Sequence, residues 1–155
     1  MDLILWRHAE AEDALPGMTD LERALTVKGT KQARRMGQWL ASQLPDSCRI
    51  LASPAVRTLQ TVEALGRKFK MHSDLAPGAD PSDILKAANW PAGKDSVLVV
   101  GHQPTLGQVA ALLLTGDDFE WDIRKASAWW FAQRDPGNAA SVYLKAVMSA
   151  DLVVK

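Results

Sequence analysis

Arg7 and His8 stand side by side after the short apolar run Leu3-Ile4-Leu5-Trp6. Arg57 follows Ser53-Pro54 at the end of a second run, Arg49-Ile50-Leu51-Ala52, and His102 follows Gly101 at the end of a third, Val97-Leu98-Val99-Val100. Short continuous apolar runs predict buried strands, the third most clearly because it is β-branched. In an α/β sheet ligands gather beyond the carboxyl ends of the strands. Three strand ends would therefore bring two guanidiniums and two imidazoles to one edge. The natural guest of such a pocket is a small dianion, because Arg forks match phosphate oxygens bidentately. Helices expected to begin near Pro54 and Pro104 add N-terminal amides at the same edge. Each charge-assisted hydrogen bond contributes roughly 1.5–3 kcal/mol. Binding alone has no need of two histidines. A neutral imidazole, with an unperturbed pKa of about 6.5, is a competent nucleophile at neutral pH. Attack on phosphorus gives a phosphohistidine intermediate and divides one hard displacement into two. Arg7, Arg57 and a protonated His102 would hold the equatorial oxygens as charge spreads over them, with no metal or other cofactor required.

The elements that must position these groups follow from the rest of the chain. Ala9 to Ala24 is acidic, is broken by Pro16-Gly17 and reads as a loop. Beyond Thr26, Ala33, Met36, Gly37, Leu40 and Leu44 recur at helical spacing up to Pro45. Pro54 suits a helix start; Val56, Leu59, Val62 and Leu65 mark one face, with Gly66 as the stop. A weak strand is expected near Phe69 to Met71, turns over Asp74 to Pro81, and a short helix from Pro81 to Asn89. A helix from Thr105 to Leu114 follows the Gly101-to-Pro104 break. Ser127 to Gln133 and Ser141 to Met148, separated by Asp135-Pro136-Gly137-Asn138, predict a hairpin. Alternating strands and helices closed by a hairpin predict an α/β fold of three layers (α/β/α), with a mostly parallel central sheet and a C-terminal antiparallel hairpin.

The chain has 155 residues, which predicts one domain spanning 1–155 with a continuous core. Hydrophobic residues at 47% and charged residues at 23% exclude a disordered, collagenous or disulfide-built chain. Eighteen basic and eighteen acidic residues cancel, so no global charge favours nucleic acid or an anionic membrane. Neither a targeting segment nor a membrane-length apolar run is found, and a single cysteine, Cys48, suits a reducing compartment; the expected location is cytoplasmic. Cys48 reads as a small buried residue, His72 as surface, and Trp129-Trp130-Phe131 as strand packing. The three histidines are too scattered for a metal site.

Leu5-Trp6-Arg7-His8-Ala9-Glu10 resembles the Arg-His-Gly signature that opens the histidine phosphatase superfamily. Ser53-Pro54-Ala55-Val56-Arg57-Thr58-Leu59-Gln60-Thr61 looks like its second motif, and Val99-Val100-Gly101-His102-Gln103-Pro104 like its third. Order and spacing agree across nearly the whole chain. The resemblance implies a phosphoglycerate mutase-like fold, His8 as the phosphorylated nucleophile, and Arg7, Arg57 and His102 as the phosphate pocket. The short length and Arg23-Ala24-Leu25-Thr26 look most like the small phosphohistidine phosphatase branch, which implies that Arg23 lies near the pocket.

Two departures bear on the chemistry. Ala9 stands where the family usually has glycine, so its backbone must keep a negative φ or carry strain. Many members carry an acid after the third strand in a Leu-x-Glu pattern, whereas Asp74-Leu75-Ala76-Pro77 has Pro77 at that position. Without a general acid, an alkoxide leaves poorly while the imidazole of a phosphohistidine leaves readily. The expected partner is thus a protein carrying phosphohistidine in a signalling or phosphotransfer role, which would need an open site. Two alternatives stand beside it: a phosphatase for a small phosphate ester, recruiting Asp74, Asp80 or Asp83 as acid, and a phosphate-binding module without turnover. No nucleic acid or membrane partner is expected.

Overall fold

The computed structural model describes residues 1–153. Its strands are β1 (Asp2–Arg7), β2 (Arg49–Ala52), β3 (Lys70–Met71), β4 (Val97–Gly101), β5 (Ala128–Gln133) and β6 (Val142–Met148). They form one sheet in the order β3-β2-β4-β1-β5-β6. The first four in that order are parallel; β5 runs antiparallel to β1, and β6 antiparallel to β5. The helices are α1 (Val27–Gln43), α2 (Val56–Glu63), α3 (Pro81–Ala87) and α4 (Thr105–Thr115).

The period-2 alternation of the central strands sorts side chains into two cores. Ile4, Trp6, Leu98 and Val100 face α1 and α2, where they meet Ala33, Met36, Leu40 and Val62. Leu3, Leu5, Val97 and Val99 face the other layer, with Ile84 of α3 and Leu106, Val109 and Ala110 of α4. A sheet covered on both faces explains why these strands read as continuous apolar runs. The three-layer α/β architecture and the hairpin agree with the sequence expectation.

Several boundaries differ from it. The second helix starts at Val56 with Ala55 as its cap, two residues beyond Pro54, and ends at Glu63 before Gly66. Gly66 lies in the following turn at φ +72°, a conformation that costs glycine little. The third helix stops at Ala87, before Asn89 at φ 56°. The acidic loop after β1 is more ordered than its composition suggests. Ala11 bridges Leu25, and Asp20–Glu22 forms a 3-10 turn.

Candidate active site

The parallel register sets the site. Arg7 pairs with Gly101 and Ala52 with Val100, so β1, β2 and β4 end side by side. His8 and Ser53 continue the ladder by one bond each: the His8 amide donates to Gly101 O at 3.2 Å and the Ser53 amide to Val100 O at 3.1 Å. His8 and His102 therefore emerge on adjacent strand ends, with ring centroids 5.3 Å apart and planes tilted by 54°.

A pocket of about 200 Å³ opens there, lined by Arg7, His8, Arg23, Arg57 and His102 together with Ala11, Pro77, Gln103 and Lys125. All five residues singled out from the sequence thus meet at one place. The His8 ring is held by its Nδ1–H, which donates to Ala9 O at 2.7 Å and leaves the Nε2 lone pair free. The Ala9 amide donates to Thr61 Oγ1, whose hydroxyl in turn donates to Arg57 O. Ala9 is not at positive φ, so alanine carries no strain where glycine is usual. Burial, with the Arg57, Arg7 and Arg23 charges, pushes His8 down to about 4. At neutral pH it is an uncharged imidazole.

His102 lies 2.7 Å through Nε2 from Ser53 Oγ. Ser53 Oγ already accepts from the Ala55 amide. The arrangement satisfying both groups has the serine hydroxyl donating to Nε2, which puts the histidine proton on Nδ1. Burial first, then His8 and Arg57, push His102 down to about 3. The protonated His102 expected from the sequence is therefore corrected: with the protein's own groups around it, His102 is neutral and acts through a single N–H.

Two groups absent from the sequence reading complete the site. Asp20, in the 3-10 turn, accepts from Arg57 twice, through its backbone O at 2.8 Å and Oδ2 at 3.0 Å, and from Arg23 Nη1 at 3.0 Å. These bonds, Arg23 first, hold its carboxyl below the usual range. Lys125 comes from the irregular segment before β5, where no pattern signals a function. The same segment binds the end of β1: Arg7 Nη1 donates to Ile123 O at 2.9 Å, and Trp6 Nε1 to Ala126 O at 2.8 Å. Ala126 is held at φ 63°, with its own amide donating to His8 O.

Arg7 Nε, Arg57 Nε and His102 Nδ1 are buried and lack a hydrogen-bond partner among the described residues. Buried donors left unpaired are costly and call for a guest. Three such nitrogens on residues of one small cationic pocket suit a tetrahedral oxyanion. No carboxylate lines the pocket, and Pro77 does. Asp80 and Asp83 instead cap α3, with the Asp80 amide donating to Asp83 Oδ2; Asp74, in the turn after β3, is exposed and does not line the pocket. Among the described residues no group of three or more His, Cys, Asp or Glu could hold a metal ion. Burial pushes the Cys48 thiol up to about 11, in keeping with an inert buried residue. No helix among the described residues is long and apolar enough to cross a membrane.

Comparison with known proteins finds relatives of this chain. The family described as "Histidine phosphatase superfamily (branch 1)" matches residues 3–80, which takes in Arg7, His8, Arg23 and Arg57. Phosphohistidine phosphatase SixA of Escherichia coli (strain K12) is 34% identical over 126 residues, covering 76% of this chain and 76% of that protein. The SixA homolog of Haemophilus influenzae is 33% identical, covering 73% and 77% respectively. A solved structure of the protein histidine phosphatase SixA complexed with tungstate superposes with a TM-score of 0.77 at 27% identity, over 97% of this chain and 98% of that one.

Proposed function

The chain belongs to the histidine phosphatase superfamily and is a phosphatase, and we propose that it hydrolyses phosphohistidine on a protein through a covalent intermediate on His8. The observation that carries the substrate choice is the pocket wall: four cations and two imidazoles, with Ala11, Pro77 and Gln103 and no carboxylate. The relatives named phosphohistidine phosphatase support the same reading.

In the first step His8 Nε2 attacks phosphorus. A new P–N bond forms while the P–N bond of the substrate breaks, and the leaving imidazole takes its proton from water. Arg7, Arg57 and the Nδ1–H of His102 hold the three equatorial oxygens, with Arg23 and Lys125 adding positive charge around them. Fixed donors of this kind stabilise the charge that spreads in the transition state. In the second step water attacks the phosphorus on His8, a P–O bond forms, the P–Nε2 bond breaks with its electron pair returning to Nε2, and inorganic phosphate leaves while the water's excess proton neutralises the hydroxide left by the first step. Asp20 is a poor substitute acid, because the bonds from Arg23 and Arg57 keep it ionised.

The test compares phosphohistidine protein, p-nitrophenyl phosphate and a sugar phosphate, with phosphoenzyme trapped under non-acidic quench. We expect phosphate on His8, no turnover by His8→Ala, unchanged rates with EDTA, and the sugar phosphate slower by the ~10²–10⁴ that general acid catalysis is typically worth. Efficient sugar-phosphate turnover that Asp74→Asn, Asp80→Asn or Asp83→Asn drops about a hundredfold would transfer the reading to a small-molecule phosphatase.

A further inference from the structure

Beside the catalytic pocket lies a second, larger concavity of about 1090 Å³, which shares Arg7 and Lys125 with it. One wall is α1, which presents Lys28, Lys31 and Arg35; the other is the segment before β5, with Arg124 and Lys125. Positions 28, 31 and 35 fall at i, i+3 and i+7, a single stripe along the helix, while Ala33, Met36 and Leu40 bury the opposite stripe. Three carboxylates also line the groove: Glu10, Asp122 and Asp151. Two of them are engaged, since Glu10 accepts from the Thr26 hydroxyl and Asp122 lies 4.0 Å from Arg7. Among the described residues none of Lys28, Lys31, Arg35, Arg124 and Lys125 forms an ion pair. In a chain of zero net charge this is a local concentration of free positive charge that runs into the reaction pocket.

We propose that this groove docks an acidic surface of the protein that carries the phosphohistidine, holding carboxylates beside the modified residue while His8 reacts. The inference rests on the proposed function. The groove has about five times the volume of the pocket it adjoins, so its occupant is a body attached to the phosphoryl group and not the group itself. Exposed lysines facing carboxylates act mainly by steering encounter, with an effect that salt screens. The signature of this role is a change in KM that leaves the chemical step intact.

The experiment uses the full chain and its triple variant Lys28→Glu, Lys31→Glu, Arg35→Glu. Lys28→Gln, Lys31→Gln, Arg35→Gln serves as a milder second variant. The substrates are an acidic histidine-phosphorylated protein, the same protein with neighbouring carboxylates changed to amides, and free phosphohistidine. We expect KM for the acidic protein to rise at least ~10-fold in the charge-reversed variant, the lower end of the range over which steering alters association. Its kcat, its turnover of free phosphohistidine and its rate on the amide-substituted protein should match the parent. An unchanged KM on the acidic protein overturns the docking role, as does an equal loss on free phosphohistidine. Competitive inhibition of the parent by RNA, absent in the variant and with KM for the acidic protein unchanged, overturns it in favour of nucleic acid. Failure of the parent to hydrolyse either phosphohistidine substrate removes the functional reading itself, and the docking role with it.

Discussion

His8 donates its Nδ1–H to the carbonyl of Ala9, one residue away, so the tautomer that the proposed attack requires is set by the local backbone. His102 needs a longer reach, to Ser53 on a different strand end. Arg57 is 4% exposed and gives Asp20 one N–H from each terminal nitrogen, which leaves Nε–H and a second N–H on each terminal nitrogen for a guest. An ammonium cannot do both, because its point charge lacks the planar fork. Arg57→Lys should therefore cut kcat/KM by about 100-fold or more, the ~2.7–4 kcal/mol typical of losing one electrostatic stabiliser of a transition state. Steady-state kinetics on the phosphohistidine protein check this; a lysine variant near parental activity would mean that the pocket needs only positive charge.

At the scale of elements, α1 approaches the loop after β1 so closely that only glycine fits at the contact. A Cβ on Gly29 would run into the carbonyl oxygen of Glu10, two residues beyond His8. Alanine is favoured over glycine within a helix by up to ~1 kcal/mol. Here the clash is with backbone, which cannot swing aside, and overpacking typically costs about 1–3 kcal/mol. Gly29→Ala should lower thermal stability despite its propensity gain. It should also reduce turnover, because the displaced Glu10 backbone is tied through Ala9 to the His8 ring. Calorimetry and kinetics on the same sample check both, and an unchanged or raised Tm would show that the helix can retreat without cost.

Over the whole molecule, the two buried imidazoles make stability depend on pH. Their folded values, about 4 for His8 and about 3 for His102, lie below the 6.5 of an exposed histidine. Between those limits the unfolded chain binds more protons, so stability falls as pH drops from about 6.5 towards 4. The depressed Asp20 carboxyl contributes in a different window: its stabilisation is present above the unfolded value of 3.8 and is lost as pH falls below it. The melting temperature should be flat just above neutrality and decline below about pH 6.5, with a shallower decline in a His8→Asn, His102→Asn double variant. Equal slopes in the two proteins would mean that the histidines are charged in the folded state.

Leu3-Ile4-Leu5-Trp6 and Val97-Leu98-Val99-Val100 declared a sheet buried on both faces, and the polar residues directly after each run declared the site. Arg7, His8 and His102 were legible because a strand end and its next residue are local facts; Arg57 was read from the helix start after Ser53-Pro54 and Arg23 from the family resemblance alone, and the structure brings all five to one pocket. Pro77 lines the pocket, and that it stands where many family members carry a carboxylate was equally visible in the chain. Asp20 and Lys125 were not, since both sit in irregular segments whose path depends on what they pack against. Which imidazole nitrogen carries the proton, and that His102 is neutral, follow from burial and from Ser53 standing across a strand boundary. The cationic stripe of α1 can be counted in the sequence. That it faces Arg124 and Lys125 across a groove opening on Arg7 was decided by the β1-to-β5 pairing, which brings residues more than a hundred positions apart to the same edge.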